Sequence, residues 1–115
     1  MKAESLTDLV HEHLERARSA SSGRSAHTVH GGRENRLRQT LVALAAGHQL
    51  DEHESPGEAT LQVLAGKVTL VAGDERHDSA VGDLVVIPDS RHSLEAVDDS
   101  AVLLTVVVNT TVGNT

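Results

Sequence analysis

Two segments that combine glycine and histidine constrain the fold of this 115-residue chain more than any other feature. In the first segment, Gly47 is followed by five residues and then His53, and Gly66 stands thirteen positions after that histidine. In the second, Gly82 precedes five residues and a proline, and His92 stands four positions after the proline. Glycine permits tight bends and proline ends a strand, so each segment predicts a strand followed by a turn. We expect the two histidines to face one shared interior.

Short apolar segments separated by turn residues make up most of the chain after residue 24. Aliphatic and β-branched residues alternate with polar ones in several of them, which is the pattern of half-buried strands. The predicted strands cover residues 25–30, 37–45, 59–65, 67–71, 76–79, 84–87, 93–96 and 102–108. Evenly spaced short strands with turn signals favour a mainly β fold, and a double-sheet jelly-roll barrel fits them best.

An amphipathic helix precedes the β segments. Between positions 5 and 20, apolar residues recur at three- and four-residue spacing, which places them on one helix face. Ser5 and Asp8 form a start signal, and Gly23 is the expected terminator. We therefore expect a helical extension over residues 1–23 that covers an open edge or end of the barrel. The barrel itself is predicted over 24–110, with a polar tail over 111–115.

Composition excludes several functions. The chain has no Phe, Tyr or Trp to stack on a base, and no cysteine for a disulfide or a thiolate metal site. Residues 1–50 carry a net charge of +2 and residues 51–115 a net charge of −9. Because nucleic-acid binding needs a concentrated basic surface, we expect no nucleic-acid partner. The asymmetry suits a basic N-terminal segment packed on an acidic barrel, although an ordinary solvated surface explains it equally simply.

The sequence also predicts where the protein acts. The first twenty residues are too charged for a signal peptide, and no apolar run reaches the length that spans a membrane. We therefore expect a cytoplasmic protein with no membrane partner.

The two glycine–histidine segments resemble the two signature motifs of the cupin superfamily, which are small jelly-roll barrels that often hold a metal ion. In that family the first motif usually supplies a His-x-His pair and a later Glu or His, and the second motif supplies one more His. His53 and His92 match the first and last of these positions, whereas Ser55 and Ala59 occupy the second and third. The resemblance thus implies a small single-domain cupin, of the RmlC-like kind, with a degenerate metal site.

The missing ligands weaken the case for a metal. Two imidazoles alone hold a divalent cation weakly, because enzymatic sites usually offer at least three protein ligands. Glu58 is a candidate third ligand, but strand alternation turns it away from the side of Ala59 unless a bulge intervenes. No cofactor is assured, and the resemblance implies a divalent Zn, Mn, Fe or Ni ion held by His53 and His92. Further pocket-lining residues are expected at Ser55, Ala59, Leu61 and Leu94.

Three functions fit this sequence. The first is the binding of a small metabolite in the barrel, with a sensory or accessory role. The alternative is a metal-dependent enzyme of the dioxygenase or isomerase type that uses His53 and His92, so the sequence leaves open whether the protein is an enzyme. A third is an interaction module whose barrel is filled by aliphatic side chains. Small cupins usually pair through sheet edges, so the resemblance also implies a homodimer.

Overall fold

One helix is followed by nine strands in the computed structural model, which describes residues 1–54 and 57–108. The helix, α1, spans Leu6–Ser19. The strands are β1 Arg24–His30, β2 Leu37–Leu44, β3 Gln49–His53, β4 Gly57–Ala65, β5 Lys67–Ala72, β6 Glu75–Ala80, β7 Leu84–Val86, β8 His92–Ala96 and β9 Ser100–Val108. The predicted mainly β fold with an N-terminal helix is confirmed. The predicted tail, and the last two residues of the predicted barrel, lie outside the described residues.

The strands form two antiparallel sheets that face each other across an aliphatic core. One sheet has the strand order β1-β2-β9-β4-β7 and the other has the order β3-β8-β5-β6. Side chains alternate along each strand, so each sheet contributes one apolar face to the interior. The core contains, among others, Val42, Leu44, Leu61, Val63, Val68, Leu70, Leu94 and Val102. This arrangement confirms the predicted jelly roll.

Helix α1 packs on the outer face of the five-stranded sheet, against β1 and β2. Its buried residues are His13 and Ala17, and His13 Nδ1 lies 2.6 Å from Ser25 Oγ on β1. Ser25 pairs with Ala43, which is completely buried but is not part of the interior core. The helix therefore covers the outside of the barrel beside the edge strand β1, rather than closing an open edge or end.

The helix begins and ends close to the predicted bounds, but the predicted terminator is wrong. Ser5 Oγ accepts a hydrogen bond of 3.2 Å from the backbone N–H of Asp8. The helix ends at Ser19, so Gly23 is not its terminator. Instead Gly23 adopts a φ of +69° in the turn into β1, where a Cβ would overlap the ring of His48. Within the described residues, no helix is long and apolar enough to span a bilayer.

An ion pair ties the helix to the acidic part of the barrel. Arg18 Nε donates to Asp99 Oδ2 over 2.6 Å, and the Ala46 backbone N–H donates to the other carboxylate oxygen over 2.8 Å. These bonds, chiefly the one from Arg18, lower the pKa of Asp99. The basic N-terminal half thus contacts the acidic half of its own chain at this point.

Strand β3 is not predicted by the sequence pattern. Four of its five residues are exposed, and Leu50 is the one apolar residue in it, so the segment shows no apolar alternation. It forms a strand because it pairs with β8, and the pairing shifts register between Leu50 and His53. Tertiary pairing therefore overrides a weak local preference.

Candidate functional site

His53 on β3 and His92 on β8 are direct partners in the antiparallel register. Their ring centroids lie 4.5 Å apart with an interplanar angle of 63°, an edge-to-face contact. His92 is buried, with 4% of its surface exposed, whereas His53 is exposed. The pair therefore runs from the barrel interior to its mouth, and the structure brings the two predicted histidines together.

A backbone carbonyl oxygen lies next to the Nδ1 atom of each ring. His53 Nδ1 lies 3.0 Å from the carbonyl oxygen of Asp51, and His92 Nδ1 lies 2.8 Å from the carbonyl oxygen of Ser90. A carbonyl oxygen only accepts, so we assign the hydrogen of each neutral ring to Nδ1. Each Nε2 then carries the lone pair, and no described residue hydrogen-bonds to it. Both rings thus offer one acceptor nitrogen.

A small apolar cavity lies against the histidine pair. Its volume is about 30 Å³. Aliphatic side chains form the rest of its lining: Val42, Leu50, Leu61, Leu70, Ile87, Leu94, Val102 and Leu104. Since one water molecule needs about 10–15 Å³, the cavity has room for about two groups of that size. The interior therefore admits the polar tip of a ligand but not a whole metabolite.

The other predicted site residues have different positions. Leu61 and Leu94 line the cavity beside the histidines. Ala59 is buried in the core but lines a separate hollow at the barrel mouth. Glu58 is exposed and pairs with Val107, whose side of the sheet faces away from the core, so the structure does not bring Glu58 to the histidines. Ser55 lies outside the described residues.

The mouth hollow is larger than the cavity. Its volume is about 420 Å³, and its lining includes Glu58, Ala59, Thr60, Val86 and Asp89. Ile87 lines both the hollow and the cavity, so its side chain lies between the two spaces.

An ion-pair cluster that sequence analysis missed stands beside the pair. Arg91 donates from Nε to Glu52 and from Nη1 to Glu54, each over 3.1 Å. The hydrogen bonds to Glu54 and Glu52 raise the pKa of Arg91. All three side chains are more than half exposed, so solvent screens both ion pairs and their contribution to stability is small. The cluster joins the end of β3 to Arg91, the residue before His92.

The donors around the pair do not fit a tight divalent-metal site. In residues 1–54 and 57–108, no group of three or more His, Cys, Asp or Glu side chains is arranged to hold a metal ion. His53 and His92 supply two nitrogens, and a catalytic site usually needs a third protein ligand. We therefore derive no chemical step through a metal.

A comparison with protein families identifies the fold family. The model of the cupin domain matches residues 40–108, which is more than half of the chain. The chain belongs to the cupin family. A comparison with curated proteins found no match. Cupin membership explains the two-sheet topology and leaves the activity open, because this fold carries many functions.

Solved structures agree with this assignment. This cupin is 27% identical to a conserved protein of unknown function from Streptococcus pyogenes, with a TM-score of 0.70 and 78% of each chain covered. It is 27% identical to an RmlC-like cupin from Desulfovibrio desulfuricans, with a TM-score of 0.65, covering 73% of this chain and 81% of that one. Salicylate 1,2-dioxygenase from Pseudoaminobacter salicylatoxidans, at 21% identity, shares the fold with a TM-score of 0.72, over 91% of this chain and 34% of its own.

Proposed function

We propose that this cupin is a small-ligand-binding protein with a sensory or accessory role, which recognises a metabolite at the barrel mouth through His53 and His92 without a metal. The observation that carries the proposal is the contact of the two rings, each with Nδ1 next to a backbone carbonyl oxygen, at the edge of an apolar cavity. The proposal includes action in the cytoplasm on a small molecule rather than on nucleic acid, as the composition predicts.

The chemistry of the pair selects a ligand with a hydroxyl group. Each neutral ring holds its hydrogen on Nδ1, so Nε2 accepts, and the ligand must donate. The aliphatic walls lower the local dielectric, which strengthens a hydrogen bond made there. Glu58 and Asp89 line the mouth hollow and disfavour an anion, so we expect a neutral hydroxyl-bearing molecule.

In this proposal the ligand occupies both spaces, one on each side of Ile87. The cavity of about 30 Å³ takes only the hydroxyl tip. The hollow of about 420 Å³ has the size of a small-molecule pocket and takes the body of the ligand. Ala59 and Ile87 then contact its apolar part. This arrangement assigns binding roles to His53, His92 and Ala59.

A thermal-stability screen tests the proposal. Metal-stripped protein in a chelator is melted with neutral hydroxyl-bearing metabolites and with their deoxy analogues. A ligand at ten times its Kd stabilises the folded state by about 1.4 kcal/mol, a rise in melting temperature of several degrees. His53→Ala and His92→Ala should abolish that rise, whereas His11→Ala on the exposed surface of α1 should keep it. Equal stabilisation of the His53→Ala protein by every hit would contradict the proposal.

A second function is favoured by the nearly filled interior. Aliphatic side chains leave a cavity of only about 30 Å³, which is also what an interaction module requires. The same screen separates the two functions, because an interaction module gives no stabilisation by any metabolite while the protein remains folded. A metal-dependent enzyme is not favoured, since the described residues supply no third ligand beside the pair.

We also propose that this cupin forms a homodimer through the free edge of β1. Among the edge strands of the five-stranded sheet, β1 has seven residues and β7 only three. An uncovered edge presents unpaired backbone groups that a second copy can satisfy. On β2 and β9 of the same sheet, Leu37 and Val107 are exposed apolar residues that pair with each other. Sedimentation or light scattering tests this oligomeric state.

A further inference from the structure

A cleft of about 410 Å³ opens between β6 and β7, the edge strands of the two opposing sheets. It exists because β7 has three residues whereas β6 has six, so the facing sheet leaves part of β6 uncovered. Its walls are mainly apolar and include Leu70, Val85 and Pro88. Leu70 also lines the small cavity at the histidine pair, so this side chain separates the two spaces.

One strand of the cleft carries a row of polar residues. Glu75, His77 and Ser79 alternate along β6 and therefore point to the same side. His77 pairs with Leu70 and Ser79 pairs with Val68, and both partners belong to the core, so the row faces inward. Glu75 and His77 line the cleft. An apolar space with a few convergent polar groups is the usual form of a small-molecule site.

Ser79 is an unsatisfied member of this row. It is 5% exposed, and its Oγ has no hydrogen-bond partner in the described part of the chain. A buried polar atom without a partner costs free energy, so such an atom in a native protein needs an explanation. A ligand or an ordered water that reaches Ser79 from the side of His77 would supply the missing partner.

The charge of the cleft favours a cation. In residues 1–54 and 57–108, no cationic side chain forms an ion pair with Glu75. The adjacent Arg76 points to the other face of the sheet, where it pairs with Glu95 over 2.9 Å. Asp74 in the preceding turn adds a second negative charge beside Glu75. An acidic group over an apolar surface suits a molecule that is cationic at one end and apolar at the other.

We propose that the cleft binds a small amphipathic amine, at a site separate from the histidine pair. Its apolar chain packs on Leu70, Val85 and Pro88, and its ammonium donates hydrogen bonds to Glu75. His77 accepts a further hydrogen from the ammonium through an unprotonated ring nitrogen. Neither this ligand nor its site depends on the function proposed for His53 and His92.

Two probes of the same length test the site. Hexylamine and 1-hexanol are titrated into ¹⁵N-labelled protein while the backbone amide signals are followed. Hexylamine should give saturable shifts confined to β6, β7 and Leu70, and it should bind about fivefold more tightly than hexanol. Glu75→Gln should remove that preference without changing hexanol binding. Added salt should weaken the binding of hexylamine but not that of hexanol.

Two control variants complete the experiment. Glu58→Gln removes a carboxylate at the mouth hollow, and His92→Ala removes the histidine pair, so both should leave hexylamine binding unchanged. Equal affinity for the two probes, the same preference in the Glu75→Gln protein, or no saturable shift in β6 and β7 would each overturn the proposal.

Discussion

His53 and His92 touch ring to ring across β3 and β8, and the Nδ1 atom of each ring lies within 3.0 Å of the backbone carbonyl oxygen two residues earlier in the chain. The same local arrangement on two paired strands leaves both Nε2 atoms as acceptors at one place. The pairing of β3 with β8 brings the two rings together.

The two histidines should differ in their effect on stability. His92 is buried, so His92→Ala leaves a cavity and should lower the free energy of unfolding by about 1–3 kcal/mol. His53 is exposed, and His53→Ala should change it by less than about 0.5 kcal/mol. Urea denaturation of the two variants measures both values. Equal losses of stability in the two variants would contradict the placement of His92 inside the barrel and of His53 at its mouth.

The ion pair between Arg18 and Asp99 makes stability depend on pH. The pKa of Asp99 is lowered from its ordinary value of 3.8, so its stabilisation is complete above that value and is lost as pH falls through the lower folded pKa. Asp99→Asn should cost about 1 kcal/mol at pH 7 and progressively less below pH 4. Thermal melts of both proteins between pH 2 and 7 measure the difference. Asp98→Asn, beside it in the turn, is the control, and a pH-independent cost for Asp99→Asn would contradict the account.

Two buried serines should respond oppositely to replacement. Ser79 Oγ lacks a partner, so Ser79→Ala should raise the free energy of unfolding by about 1 kcal/mol. Ser100 Oγ accepts from the Lys67 N–H at 3.1 Å and lies 2.7 Å from the Asp98 carbonyl oxygen. Ser100→Ala should therefore cost about 1–2 kcal/mol. Destabilisation of the Ser79→Ala protein would show that its hydroxyl has a partner in the free protein.

The homodimer proposed for β1 predicts a mass near twice that of the chain by light scattering. Thr28 is exposed on β1, and a carboxylate there would meet its own copy across a two-fold axis. Thr28→Asp should therefore shift the protein to the monomer, whereas Thr7→Asp on α1 should leave the dimer intact. A monomeric parent protein, or a dimer that Thr28→Asp does not weaken, would contradict the proposed interface.

The fold could be predicted where apolar periodicity and turn residues agree. The strands around Leu41, Val63 and Val102 show continuous or alternating aliphatic residues, and Gly66 marks the turn between β4 and β5 with a φ of +77°. Strand β3 could not be predicted, because most of its residues are polar and its partners on β8 lie 39 to 46 positions away in the sequence.

The candidate site could be predicted only in part, because some of its contacts join residues that are distant in sequence. Family motif spacing located His53 and His92, but the cluster of Arg91 with Glu52 and Glu54 depends on contacts that are distant in sequence. The cleft at His77 was not predicted either, because this histidine has the sequence context of an ordinary surface residue. Its inward position follows only from the register between β5 and β6.

Imidazole nitrogen NMR tests the central claim most directly. Long-range ¹H–¹⁵N spectra of His53 and His92 are recorded in chelator-treated protein with and without 1,2-propanediol. The spectra are then recorded with the hydroxyl compound that stabilises the protein most in the thermal screen. We predict that both rings carry hydrogen on Nδ1 and that ligand shifts the two Nε2 signals together. Nε2 signals that no stabilising compound moves, or that move only when Zn²⁺ is added, would contradict metal-free recognition by this pair.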